Sequence, residues 1–213
     1  TDIYYKSGEV IQVPVFSDEV SAVQFYNGAT LHTTVTVSES QSTTGQIIYA
    51  SSTSATTKIE VISDVTETIN VYETTECKYT PYKVTFVNRF GALQNIYFFK
   101  KSTESLNTTQ ENYKANIVDL FALEYDIQRH QYQTYNKMGR ESITMNTGFV
   151  TEEYNKVLRE LLLSEQVWMT KGSDILPMTV KKSSLQYKTS LNDKLINYSI
   201  DFEYAFDKIN NIR

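Results

Sequence analysis

Residues 196–206 place Ile196, Tyr198, Ile200, Phe202, Tyr204 and Phe206 at every second position, with Asn197, Ser199, Asp201, Glu203 and Ala205 between them. A period of two gives one buried face and one wet face, the mark of a half-buried strand. At about 3.3 Å per residue such a run would reach about 36 Å, well beyond the usual strand of about 5–6 residues. A strand of that length belongs to a large twisted sheet. No feature of comparable strength in the chain speaks of catalysis, so the sequence argues for a building block.

Composition agrees. Sixteen Tyr and ten Phe, against seven Gly and three Pro, favour pleated surfaces on which aromatic and branched side chains pack well. The expectation is mostly β structure, and Tyr, with a polar tip on an apolar body, suits strands half covered by a neighbouring subunit. A length of 213 residues allows one large or two small domains. With 40% hydrophobic and 21% charged residues the chain reads as neither disordered nor membrane-embedded, and no stretch approaches the roughly 20 apolar residues that cross a bilayer. A soluble protein with no membrane partner is expected.

The formal charge of −5 argues against nucleic acid as the main partner, because phosphate binding needs excess Lys and Arg. The pairs Lys100-Lys101 and Lys181-Lys182 read as solvated strand ends. Cys77, the single cysteine, has no partner for an intrachain disulfide or a zinc cluster, and is expected to be a buried small hydrophobe. The first residues show no basic segment followed by an apolar run, the pattern of a secretory signal. Asn107 and Asn197 head Asn-x-Ser/Thr triplets, glycan acceptors only in a secretory pathway, and Asn197 lies inside the long strand.

Along the chain, a small β domain over residues 1–75 is expected to hold short strands at 9–16, 22–26, 31–37, 46–49, 57–62 and 68–72. Asn27-Gly28 marks a hairpin, since both residues tolerate positive φ. The polar, Ser/Thr-rich segments 38–44 and 51–57 read as exposed connections. Residues 74–81 read as the crossing to a second domain, 76–213, opening with a hairpin of strands 82–88 and 93–101. The continuous patch Ile96-Tyr97-Phe98-Phe99 predicts a strand covered on both sides. Residues 103–116 read as a loop or an exposed strand edge, 120–135 as a strand with a bulge at 129–131, and 141–146 as a short strand closed by Gly148.

One helix is expected at about 151–165. Thr151 is placed to cap it, Glu152 and Glu153 suit the positive end of its dipole, and Tyr154, Val157, Leu158, Leu161 and Leu162 form one stripe to lie on the sheet. Beyond it, strands 166–170 and 175–181 flank a turn at 171–174. A strand at 184–191 then turns through Asn192-Asp193 into the long strand. The fold class is therefore mainly β, a β-sandwich or barrel, with one amphipathic helix packed on the C-terminal sheet.

The chemistry search returns little. Glycine-rich phosphate loops, zinc-protease helices, nucleophile elbows and calcium loops are absent from the sequence. His32 and His130, the two histidines, fall in different expected domains and read as satisfied strand or surface residues. Two carboxylate pairs, Asp201 with Glu203 and Glu124 with Asp126, have the spacing glycoside hydrolysis needs, but they also fit the wet face of an antiparallel sheet. Tyr4-Tyr5, Tyr79/Tyr82 and Tyr132/Tyr135 could stack on sugars or bases, or serve packing and subunit contact. No catalytic, cofactor-binding or metal-ligating residue is assigned, and no cofactor is expected.

The run from Met138-Gly139-Arg140 through Asn146-Thr147-Gly148, the Tyr154–Leu163 helix, Ser164 to Trp168, Leu176-Pro177 and the closing 195–213 segment resembles virion structural proteins of tailed bacteriophages, as does the stretch from Tyr82 to Phe99. The likeness covers about residues 76–213. It implies a tail, baseplate or neck component, located in the virion, whose barrel or sandwich repeats around an axis in a ring or connector, with copies of itself and other virion structural proteins as partners. The residues add a mechanism, since long alternating strands can extend across a subunit boundary. The expectation is a non-enzymatic structural protein. The alternatives are a carbohydrate-binding or host-adhesion β module, with a host glycan as ligand, and a carboxylate-dependent glycoside hydrolase.

Overall fold

The structure, a computed structural model, describes residues 2–16, 20–37, 46–117, 128–181 and 196–209. Strands follow in the order β1 (Asp2–Lys6), β2 (Ile11–Phe16), β3 (Ala22–Asn27), β4 (Thr30–Thr36), β5 (Ile47–Ser52), β6 (Lys58–Ile62) and β7 (Glu67–Thr74). After an irregular crossing come β8 (Tyr82–Val87), β9 (Leu93–Phe98), β10 (Thr103–Lys114) and β11 (Tyr132–Val150). A 3-10 turn (Glu152–Tyr154) leads into helix α1 (Asn155–Leu163), then β12 (Val167–Lys171), β13 (Asp174–Val180), β14 (Ile196–Tyr204) and β15 (Lys208–Ile209).

The strands form a five-stranded sheet in the order β1-β7-β6-β3-β4, a two-stranded ribbon β2-β5, and an eight-stranded sheet ordered β10-β11-β14-β13-β12-β8-β9 with β15 on β11. Each sheet takes its strands from one side of residues 75–81. Among the described residues only β1 and β7 pair in parallel; the other ladders are antiparallel. The protein is mainly β, a sandwich with one short helix, as its composition predicts.

The long alternating strand is present and central. In β14, Ile196, Tyr198, Ile200, Phe202 and Tyr204 are all buried and the residues between them face the wet side. It is shorter than its pattern: the Ala205 amide still donates to the Pro177 carbonyl, but the chain bends at 205–206 and leaves Phe206 exposed. Ile96, Tyr97, Phe98 and Phe99 are likewise all buried, with Phe98 edge-on to Phe202 at 5.6 Å between ring centroids. Asn27-Gly28 turns β3 into β4, with Gly28 at φ 60°.

Buried residues from all three sheets and α1 form one continuous cluster. The strand at Asp2–Lys6, which the sequence reading did not find, ties β7 to the segment that leads into α1. Tyr4 stacks on Tyr72 at 4.9 Å and meets the Tyr154 ring edge-on at 5.0 Å, and its hydroxyl accepts the Thr151 amide at 2.9 Å. Asp2 accepts from the Asn70 side chain at 3.1 Å and from the Thr151 hydroxyl. Thr151 therefore caps no helical amide; its hydroxyl is spent on Asp2. The helical stripe is as expected at Tyr154, Val157, Leu158 and Leu161, all buried, while Leu162 is only partly buried against the core and Leu163 is exposed. From the eight-stranded sheet, the Tyr198 hydroxyl donates to Asn155 at the start of α1.

One further expectation is narrowed and two are corrected. Of the two readings of residues 103–116, loop or exposed strand edge, the structure shows the second, the twelve-residue edge strand β10. Residues 141–146 are part of a single nineteen-residue strand, β11, which continues through Gly148. Residues 129–131 form a bend before that strand; the bulges lie elsewhere in it. One sits opposite Thr109–Glu111, where β11 inserts an extra residue and Asn136 takes φ 50°; the other holds Gly148 at φ 79°. Both are places where one strand carries an extra residue and turns its twist. The expected strand at 184–191, its turn at Asn192-Asp193, the connection 38–44 and the first part of 120–135 lie outside the described residues.

Tyrosine burial makes part of the stability sensitive to alkali. Burial pushes Tyr97 up to about 12 and Tyr154 higher still from the usual 10.0. A folded-state value above the unfolded one gives stability that is complete below pH 10 and lost as pH rises towards 12. Titration followed by phenolate absorbance and circular dichroism should show ionisation of these rings coinciding with unfolding, and not preceding it.

Candidate interaction surface

The carboxylate pair of β14 is part of a surface network. Asp201 accepts from the Thr144 hydroxyl at 2.6 Å, and Glu203 pairs with Arg140 at 3.5 Å and Lys181 at 3.7 Å. Arg140 also donates to Asp207 at 2.8 Å, a contact that raises its guanidinium further above the usual range. These are cross-strand partners on a wet sheet face. Glu124 and Asp126 lie outside the described residues.

The histidines do not meet. His32 on β4 is satisfied by Thr33 at 2.9 Å and Thr56 at 3.2 Å, whereas His130 is exposed in the bend before β11. Cys77 is exposed, contrary to expectation, because it falls in the irregular crossing where no sheet covers it. Lys100 pairs with Glu76 at 2.7 Å, holding that carboxyl below its ordinary range, and Lys101 is exposed. Of the tyrosine pairs, Tyr4-Tyr5 is core, while Tyr132 and Tyr135 are 66% and 48% exposed. Among the described residues there is no group of three or more His, Cys, Asp or Glu that could hold a metal, and no helix long and apolar enough to cross a membrane.

What remains is the ribbon formed by β10 and the first half of β11. All twelve residues of β10 are exposed, and among the described residues it pairs with β11 alone. Twelve residues at about 3.4 Å each present roughly 40 Å of open backbone edge. The ribbon is held by its own cross-strand bonds: Ser105 with Ser142 at 2.8 Å, Thr134 to Asn112 at 2.8 Å, and Tyr113 to Gln133 at 2.5 Å. Leu106 lies over Gly139, where a Cβ would come within 3.1 Å of its side chain. Tyr113 and Tyr135 meet edge to face at 5.8 Å, and Glu111 beside Tyr135 raises that phenol. At the base, Lys171 donates to Glu104 at 2.6 Å, which pushes the ammonium above its usual range.

No family model, curated protein or solved structure matches the chain.

The ribbon's chemistry is that of contact, with Leu106, Tyr113, Tyr132, Tyr135 and Met138 all at least 40% exposed on or opposite a single open edge. Cavities elsewhere are shallow beside it in chemical content. One of about 730 Å³ lies between the β8–β9 turn and the end of α1, around Asn88, Arg89, Arg159 and Glu160. Another of about 610 Å³ runs beside β2, lined by Val13, Val15, Val61, Ile69 and Phe90. Neither touches the carboxylates of β14. Sequence reasoning found the ribbon's tyrosines but left its strand undecided between a loop and an exposed strand edge: a run such as Ser105-Leu106-Asn107-Thr108-Thr109-Gln110 has no apolar alternation because neither of its faces is buried.

Proposed function

We propose that this chain is a non-enzymatic structural subunit that assembles with copies of itself, as a ring or connector component of a phage tail, baseplate or neck within the virion. The observation that carries the reading is the open edge of β10. Soluble monomers blunt such edges with charges, prolines, bulges or a covering segment. Here the middle of the strand, residues 105–110, holds no charge and no proline, and the bulge is in the partner strand. The resemblance of residues 76–213 to tailed-phage virion proteins points the same way, and other virion proteins are the natural further partners. A ring joins unlike patches head to tail.

Sedimentation and particle imaging over a wide concentration range test this reading. Expected are discrete oligomers with the far end of the ribbon buried between subunits. A chain that stays monomeric at high concentration would overturn it.

A second reading draws on Tyr113, Tyr132 and Tyr135, exposed rings on one ribbon of the kind that stack on sugar faces. It makes the protein a host-adhesion module, and retention of a glycan by the monomer on an array is its signature.

A further inference from the structure

The edge of β10 has a preferred partner written into its own sequence. Glu104 and Lys114 lie ten residues apart, near opposite ends of the strand, and the alternation of side chains puts both on the same face. We propose that β10 pairs antiparallel with β10 of a second copy across a two-fold axis at Thr109, joining two eight-stranded sheets into one continuous sheet. This rests on the reading that the chain assembles, and adds the partner strand, its direction and its register.

A two-fold axis normal to the sheet keeps each side chain on its own face, so opposed residues must have the same parity. Centring on Thr109 sets Glu104 opposite Lys114, Leu106 opposite Asn112 and Thr108 opposite Gln110 on one face. On the other it sets Ser105 opposite Tyr113, Asn107 opposite Glu111 and Thr109 opposite itself. Directly opposed pairs are the unit of sheet stabilisation, and opposite charges and Thr–Thr pairs are favourable in it. This register makes two acid–base pairs and one Thr–Thr pair, with no like charges facing each other. Moving the axis to Thr108 sets Glu104 opposite Asn112 and Thr103 opposite Tyr113, so both ion pairs are lost. Among the described residues β10 pairs with β11 alone, so its outer edge faces the new ladder, and Glu104, though it already holds Lys171, remains about half exposed. Because the contact is isologous it closes at two copies. In a ring it sits beside the head-to-tail contacts and links subunits of two rings.

The test is sedimentation velocity on the full chain, with thermal unfolding as the folding control. K114E makes two carboxylates face each other at both ends, and should weaken self-association by about tenfold or more from the loss and reversal of two pairs. The double swap E104K with K114E restores the opposed signs and should recover most of that loss. T109K puts two ammonium groups against each other at the axis and should remove the dimer. All three positions are exposed, and the surface pair with Lys171 that E104K gives up is worth at most about 1 kcal/mol, so the unfolding midpoint should move little. Association indifferent to K114E and T109K, or K114E weakening that the swap does not rescue, overturns the β10 pairing while leaving the assembly reading intact. A wild-type chain monomeric at every concentration overturns both.

Discussion

Leu161→Asp should abolish the cooperative unfolding transition. Leu161 is fully buried on the inner stripe of α1, beside Leu158 and Val157 in the cluster that joins the sheets. Removing a buried leucine alone costs about 2–5 kcal/mol, and a carboxylate without a buried partner adds several more. Against a total stability of about 5–15 kcal/mol the sum leaves little or no folded population. Leu161→Ala is the graded control: it should keep a single transition, lowered by about 2–5 kcal/mol. Chemical denaturation followed by circular dichroism reads both. A folded Leu161→Asp chain with an unchanged midpoint would show that α1 does not hold the two halves of the sandwich together.

Tyr4→Ala should be the next most damaging change, although it lies at the very start of the described chain. The ring packs on Tyr72 of β7 and Tyr154 before α1, and the hydroxyl takes the Thr151 amide. Truncating a buried aromatic costs about 3–5 kcal/mol, and here it also strands an amide at the mouth of the helix. Tyr4→Phe keeps the packing and removes only the acceptor, so its loss should be about 1 kcal/mol. The difference between the two variants, measured by denaturant titration, separates the ring from the hydroxyl. Equal losses would mean that the hydrogen bond, and not the stacking, carries the attachment.

Both residues illustrate what can be read from a chain of this kind. The stripe of α1 and the alternation of β14 were legible because one face of each is buried, so a period of 3.6 or of two is imprinted on the residues. The covered strand at Ile96–Phe99 was legible by a different sign: with both faces buried its apolar residues run without a break. Asp2–Lys6 left no such imprint: its burial runs Asp2, Tyr4 and Tyr5 without a period, because the strand touches a sheet on one side and the start of a helix on the other. β10 left none because nothing covers it. The length of β11 was hidden by its bulges, each of which shifts the alternation by one residue and makes a continuous strand look like separate pieces. Thr151 had the right side chain for a cap, but which acceptor its hydroxyl finds depends on Asp2, distant in the chain and therefore invisible to local pattern. The carboxylates of β14 were placed correctly on a wet face; that Arg140, Lys181 and Thr144 engage them follows from strand order, which the sequence does not display.

The uninterrupted course of β11 has a mechanical meaning. One backbone runs from the exposed tyrosines at Tyr132 and Tyr135 to Val150 in the core, laddered along its inner half to β14. Tension along the outer half therefore loads that ladder in shear, with its rungs resisting together instead of opening one by one. An element built this way can be pulled on without being peeled off.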